Sequence, residues 1–203
     1  KQARFKLITT GKISQKNLLF EEQHIERLRK ASRYFAFPFD AEDLKQKIEE
    51  ECRACDYRQD YRLRISLGKS GEIELSRQVL TPLGPSFCQA KLCLQEANLQ
   101  QAFTYFKTSY RPHLSLGEQE KIYHNQRGEL LETSIGNLVL KIAGKLYTPS
   151  IRLGILPGIY RQHLLETGQI EEKVLTLADL VQAEAIYGCN AVRGLYELSL
   201  EEN

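Results

Sequence analysis

Methionine is absent from the 203 residues, and the chain does not begin with one. A polypeptide of this size usually holds several, so part of a longer chain is expected to lie outside this one. Long apolar runs are lacking too. None approaches the roughly 20 residues of a membrane-spanning helix, and no signal-peptide pattern opens the chain. Neither a membrane nor an export route is expected. Charge of one sign is scarce: 28 Lys and Arg stand against 26 Asp and Glu, a net +2 with the signs interspersed. That offers nucleic acid no basic face. Cysteine is sparse and odd in number. Cys52, Cys55, Cys88, Cys93 and Cys189 are unevenly spaced, which reads as free thiols in a reducing cytoplasm. Cys52-Arg-Ala-Cys55 ends a predicted helix where a redox motif would open one, and no second Cys pair completes a zinc site. No metal is expected.

What is present is the composition of an ordinary globular protein, 42% hydrophobic and 27% charged. The length suffices for one large or two modest domains whose cores need no staples. An alternating strand begins at Phe5 and is expected to break at Gly11. Glu21 to Phe35 carries Ile25, Leu28, Ala31, Ser32 and Phe35 on one stripe, a helix that Pro38 ends. Asp40 is a good N-cap for a second helix from Ala41 to about Cys52, with Glu42 and Asp43 in its first turn. Arg62–Leu67 and Glu72–Leu75 alternate on either side of Gly68-Lys-Ser-Gly71, a hairpin with one wet face. Gln89–Leu94 predicts a further strand, and the polar stretch Gln95–Gln101 is the best linker. Beyond it, Gly-rich turns separate short apolar strands such as Leu138–Ile142. Helices are predicted from about Pro157 to Glu166 and from Leu177 to Ala185, the latter capped by Thr176 with Asp179 as its N3 acid. The fold class is α/β (α+β), in two mixed domains of about 1–98 and 99–203 with a cleft between them.

Few residues stand out chemically. Lys107 follows Phe103, Tyr105 and Phe106, and an amine in apolar surroundings loses proton affinity and becomes nucleophilic; a lysine at a strand end is otherwise a solvated charge. Glu132 follows Leu130-Leu131 and either caps a turn or meets a buried cation. Leu153-Gly-Ile-Leu-Pro-Gly-Ile-Tyr-Arg161 opens a helix through a Gly- and Pro-containing loop, which aims backbone amides and the helix dipole at an anion or is simply a helix start. Arg27 shares a helical face with His24 and either forms a surface ion pair or clamps a phosphate. A lysine for an imine and a carboxylate for a ring nitrogen together suggest a pyridoxal-phosphate enzyme.

The order of these segments is more specific than any one of them. His-x-x-Arg-Leu at 24–28 is followed by Phe-Lys-Thr at 106–108 and by Gly-Glu-Leu-x-Glu-x-x-x-x-Asn at 128–137. Thr-Pro at 148–149, Leu-Pro-Gly-Ile-x-Arg at 156–161 and Asn-Ala-x-Arg-Gly at 190–194 complete the series. The series resembles the fold-type IV pyridoxal-phosphate family of branched-chain aminotransferases, D-amino acid aminotransferases and 4-amino-4-deoxychorismate lyases. That resemblance implies a smaller N-terminal domain and a C-terminal domain that binds pyridoxal 5'-phosphate. It implies Lys107 as the Schiff-base lysine and Glu132 as the partner of the pyridine nitrogen. Arg27, the amides of Ile159 and Tyr160, and the Asn190-Ala191 turn would bind the cofactor phosphate, with Leu156 against the ring. Tyr110 is the nearest counterpart of the family tyrosine that contacts the phenolic oxygen.

Within the family the chain is most similar to the lyases. Tyr-x-Asn-x-Arg-Gly-Glu at 123–129, Lys145-Leu-Tyr-Thr-Pro149, Leu-Leu-Glu-Thr-Gly at 164–168 and Cys189-Asn-Ala191 carry that likeness. It implies elimination of pyruvate from 4-amino-4-deoxychorismate to give 4-aminobenzoate for folate synthesis. Branched-chain or D-amino acid transamination is the alternative, and a decayed member kept as an interaction domain is the non-enzyme alternative. A homodimer is implied, standing alone or else associated with or fused to an aminodeoxychorismate synthase component, and the free thiols place it in the cytoplasm. Tyr34, Phe35, Phe37 and Phe39 either serve that dimer or fill the small domain's core.

Overall fold

The computed structural model describes residues 5–95, 101–114, 117 and 119–201; the expected linker at Gln95–Gln101 falls largely outside them. Its contacts divide the chain into two units, Lys1–Pro82 with Phe106–Tyr110, and Leu83–Tyr105 with Arg111–Asn203. This departs from the expected 98/99 boundary for two physical reasons. Residues 89–94 pair with strands of the second unit, and residues 106–110 return to the first.

In the first unit the alternation at Tyr61–Leu67 (β3) buries Leu63, Ile65 and Leu67 and leaves the residues between them wetter, the period of a strand with one face on a core. It lies between Leu7–Ser14 (β1) and Ile73–Val79 (β4), and Asn17–Leu18 (β2) pairs the far edge of β1, all antiparallel. Gly11 does not break β1, contrary to the sequence expectation. An added Cβ there would come within 2.5 Å of His24 Nε2, so glycine lets a helix approach the strand closely. That helix, Glu21–Phe35 (α1), buries His24, Ile25, Leu28, Ala31 and Ser32. It ends at Ala36, which adopts left-handed geometry and donates its N–H to Ser32 O, ahead of the expected breaker Pro38. Ala41–Arg53 (α2) is capped by Asp40, whose carboxylate accepts from the amides of Glu42 and Asp43. Leu44, Ile48 and Cys52 of α2 join the strand and α1 residues in one core, with Phe35, Phe37 and Phe39 packed into or against it. Three of the four clustered aromatics therefore serve this core, while Tyr34 is 61% exposed.

The second unit is a sheet of eight strands: Gln89–Leu94 (β5), Glu120–His124 (β6), Leu130–Thr133 (β7), Asn137–Ile142 (β8), Lys145–Thr148 (β9), Glu171–Glu172 (β10), Ala185–Asn190 (β11) and Gly194–Leu200 (β12). Their order is β10-β9-β8-β11-β12-β5-β6-β7, and β7 also pairs with β8. The sheet thereby closes on itself as a ring of six strands with β9 and β10 appended. Along β8, Leu138 and Leu140 enter one cluster and Val139 another, as the two faces of a strand require. Ile159–Glu166 (α4) packs Leu164 beside Val139, and Leu177–Gln182 (α5) packs Leu180 beside Leu138 and Leu140. Helix α5 stops before the expected Ala185, which begins β11. Its start carries a capping box of Thr176 and Asp179. The short helix Gln101–Tyr105 (α3) precedes the lysine segment. Among the described residues no helix is long and apolar enough to cross a membrane.

Candidate active site

Lys107 and Arg27 both belong to the first unit. Lys107 follows α3 on a stretch held against β1: its carbonyl accepts from Ile8 N at 2.9 Å, and Ser109 N donates to Lys6 O at 2.8 Å. Its side chain is half-buried, as is that of Arg27 on α1. Between them in charge lies His24, fully buried, with Nδ1 2.6 Å from Thr9 Oγ1. Burial first, then the positive charges of Arg27 and Lys107, lower its pKa to about 3. His24 is therefore a neutral ring within reach of the charges of two cations.

Glu132 lies in the second unit on β7, at the single register pair, Glu132↔Asn137, that joins β7 to β8 and closes the ring. It is 2% exposed. Arg111 Nη2 lies 3.7 Å from its Oε2, and His113 Nε2 lies 4.0 Å from its Oε1. Burial lowers the Arg111 pKa while the Glu132 charge opposes that shift. Burial and the Arg111 charge lower His113 to about 4, so this imidazole is neutral. The Nε and Nη2 of Arg111 and both ring nitrogens of His113 are buried without a hydrogen-bond partner among the described residues. Beneath the turn after Glu132, the fully buried Glu120 accepts from Ser134 N at 2.8 Å and Lys121 N at 3.2 Å, with Tyr196 OH 3.4 Å away.

The remaining candidates of this unit converge on the same turn. Asn137 Nδ2 donates to Leu156 O at 2.9 Å, and Leu156 is 9% exposed. Gly158 sits so close to the Asn137 carboxamide that a side chain on it would overlap Oδ1. Helix α4 begins at Ile159 and Tyr160 with no side-chain cap, and a helix start supplies amides that have no partners within the helix. Gly194, in left-handed geometry at φ 68°, faces the Tyr160 ring with its open side; a Cβ would lie 3.4 Å from that ring. Gly194 pairs with Asn190 in the β11–β12 ladder. The Asn190 Oδ1 accepts from Val192 N at 2.9 Å and Arg193 N at 2.8 Å, and its Nδ2 donates to Ile135 O at 3.2 Å. Ala191 rides on this turn. Glu132, Leu156, Ile159, Tyr160, Asn190 and Ala191 thus share one end of the second unit. The sequence reading did not single out Arg111 and His113, which lie beside Glu132; the signal available was a basic Arg-Pro-His triplet ending an aromatic run.

Known proteins resemble this chain in sequence and in fold. The family described as Amino-transferase class IV matches residues 6–199. A Haemophilus influenzae protein of uncharacterised function is 35% identical over 79 residues, or 39% of this chain, and the match spans 41% of that protein's length. A Thermotoga maritima protein provisionally named a branched-chain-amino-acid aminotransferase is 25% identical over 89% of the chain and 73% of its own length. A Schizosaccharomyces pombe protein provisionally named an aminodeoxychorismate lyase is 37% identical over 54 residues, 27% of this chain and 23% of its own. Among solved structures, a Mesorhizobium loti protein provisionally named an amino-acid aminotransferase has a TM-score of 0.85 at 28% identity, covering 97% of this chain and 100% of that one. The pyridoxal-phosphate-bound form of a Mycobacterium tuberculosis protein described as a hypothetical aminotransferase shares the fold, with a TM-score of 0.79 at 18% identity over 97% of this chain and 81% of that one. With a family match that runs through both units and a shared architecture, the chain belongs to the class IV aminotransferase family.

Proposed function

We propose that this chain is a pyridoxal-phosphate-dependent lyase that releases pyruvate from 4-amino-4-deoxychorismate and leaves 4-aminobenzoate, a precursor for folate synthesis. The carrying observation is the convergence around Glu132: a buried carboxylate, an uncapped helix start and a tight Asn190 turn at one end of the second unit. The donor set fits the cofactor. An acid serves a pyridine nitrogen, amides and a cation serve a phosphate, an apolar Leu156 serves a ring, and buried donors on Arg111 await an acceptor. The lyase reading over transamination rests on Asn190-Ala191, where branched-chain aminotransferases tend to carry Gly-Thr, and on the likeness to the Schizosaccharomyces pombe protein.

Bound pyridoxal phosphate supplies an electron sink for charge that develops beside the substrate amine. Lys107 would anchor the cofactor through its amine, and as a free amine it would serve as general base for the proton adjacent to the substrate amine. Glu132 holds a proton on the ring nitrogen, and burial strengthens that hold. Arg27, the amides of Ile159 and Tyr160, and the Asn190-Ala191 turn hold the phosphate. Leu156 covers the ring and excludes water. Aromatisation of the product drives the elimination, a gain that transamination lacks. The working unit is a homodimer, for which exposed Tyr34 offers an apolar contact.

Borohydride reduction of the protein with added cofactor is expected to lock one adduct onto Lys107 and to fail in Lys107→Ala. Full-yield adduct in that variant refutes the assignment. Rapid conversion of the cofactor to its amine form by D-alanine or leucine, with no 4-aminobenzoate from aminodeoxychorismate, would establish the aminotransferase instead.

A further inference from the structure

The cofactor reading assigns an acid to the ring nitrogen and a set of donors to the phosphate. It leaves one anionic atom of pyridoxal phosphate unassigned, the phenolic oxygen, two ring positions from the nitrogen. Arg111 has the complementary features. Its side chain is 9% exposed, and its Nε and Nη2 are buried without a hydrogen-bond partner among the described residues. Leaving such donors unsatisfied is costly, so buried guanidinium groups ordinarily have acceptors. Glu132 is not that acceptor, because 3.7 Å separates the carboxylate from Nη2, beyond hydrogen-bond length. The guanidinium is nonetheless fixed beside the very group proposed to bind the ring nitrogen. His113, on the other carboxylate oxygen, is neutral and adds no charge. Pro112 and the Leu114 N to Arg111 O bond of 3.1 Å brace the turn that carries both residues. Tyr110, the sequence counterpart for this role, is 40% exposed, whereas the Arg111 side chain is 9% exposed.

We infer that Arg111 binds the phenolic oxygen of the cofactor, using the donors that have no acceptor among the described residues. This rests on the cofactor reading above. A fork-shaped cation suits the task, since one edge can face Glu132 while another donates to the oxygen. A cation at the phenolic oxygen favours its ionised form, and Arg111 and Glu132 then treat the two ends of the same ring system as a matched pair of opposite charges.

The test compares binding of pyridoxal phosphate with that of its 3-deoxy analogue, which lacks only the phenolic oxygen, by absorbance titration of the protein freed of cofactor. The wild-type chain is expected to prefer pyridoxal phosphate by about 10- to 100-fold, the range for a hydrogen bond to a charged group. Arg111→Gln should reduce that preference at least fivefold. Arg111→Lys, which keeps the charge beside Glu132, should reduce it by a smaller factor, and Tyr110→Phe should leave it unchanged. If Arg111→Gln does not fold, the lysine variant decides in the same way. A preference that is unchanged in the foldable Arg111 variants, or one that collapses in Tyr110→Phe instead, overturns the inference. A wild-type chain that binds neither compound refutes the cofactor reading and this inference with it. One that binds both equally refutes the role of Arg111 alone.

Discussion

Gly158→Ala isolates the contact that sets the start of α4. Two effects compete. The backbone at Gly158, φ −68° and ψ 139°, suits any residue, so alanine meets no conformational penalty and gains about 0.4–1 kcal/mol by restricting the unfolded chain. Against this, the new methyl overlaps Asn137 Oδ1 and lies 3.2 Å from its Cγ and 3.5 Å from Arg161 Cβ. Asn137 is 2% exposed and donates to Leu156 O at 2.9 Å. Clearing the methyl means turning that carboxamide and stranding buried polar groups, at about 1–3 kcal/mol. The clash wins, with a net loss of about 1–2 kcal/mol. Thermal melting of the cofactor-free protein should fall by about 2–8 °C, at roughly 2–4 °C per kcal/mol for a chain of this size. In an Asn137→Ala background the methyl has room, and the same substitution should be neutral or slightly stabilising, a coupling of about 1–3 kcal/mol. Gly158→Ala melting at or above wild type, or a cost that persists in the Asn137→Ala background, refutes the reasoning.

Acid should destabilise the fold through its buried histidines. His24 and His113 are held at about 3 and about 4 from an ordinary 6.5, by burial first and neighbouring cations second. The unfolded chain takes up these protons as pH falls through 6.5 while the folded chain does not, so their stabilising effect is present above that pH and lost toward 3 and 4. Each contributes a slope of up to about 1.4 kcal/mol per pH unit. Denaturant titrations of His24→Gln across that window should show a shallower loss, and a slope equal to wild type would argue against the assignment. Thr176→Ala removes the cap of α5, where Asp179 N and Thr176 Oγ1 are 3.4 Å apart and Thr176 N and Asp179 Oδ2 are 2.8 Å apart. It should cost about 1 kcal/mol; calorimetry showing no fall in melting temperature would refute the cap's contribution.

What the sequence made legible was local. The α1 and α2 spans follow from apolar spacing and from the Asp40 cap, the β3–β4 hairpin from alternation around Gly68–Gly71, and the Thr176 capping box from a four-residue pattern. Local signals failed where a distant partner decided the outcome. Gly11 reads as a breaker until His24 is seen against it. Ala185 reads as the end of a helix until β8 claims it as a strand residue. The domain boundary shifted because β5 finds its partners in β6 and β12, more than a hundred residues apart at the far end. Motif order singled out Glu132 and the α4 start, which the fold brings to one end of the second unit, but nothing in the spacing of Arg111 and His113 announces that both flank a carboxylate about twenty residues later.

The ring of strands in the second unit also has a temporal side. Strand β5 lies between β6 and β12, so its second edge stays unsatisfied until Gly194–Leu200 has left the ribosome. Pairing across such a separation in sequence is slow, because loop entropy must be overcome before any contact rewards it. The Asn190 turn belongs to the hairpin that delivers this strand. Formation of the Asn190 turn and closure of the ring are therefore late and coincident, and a nascent chain halted before β12 would have neither.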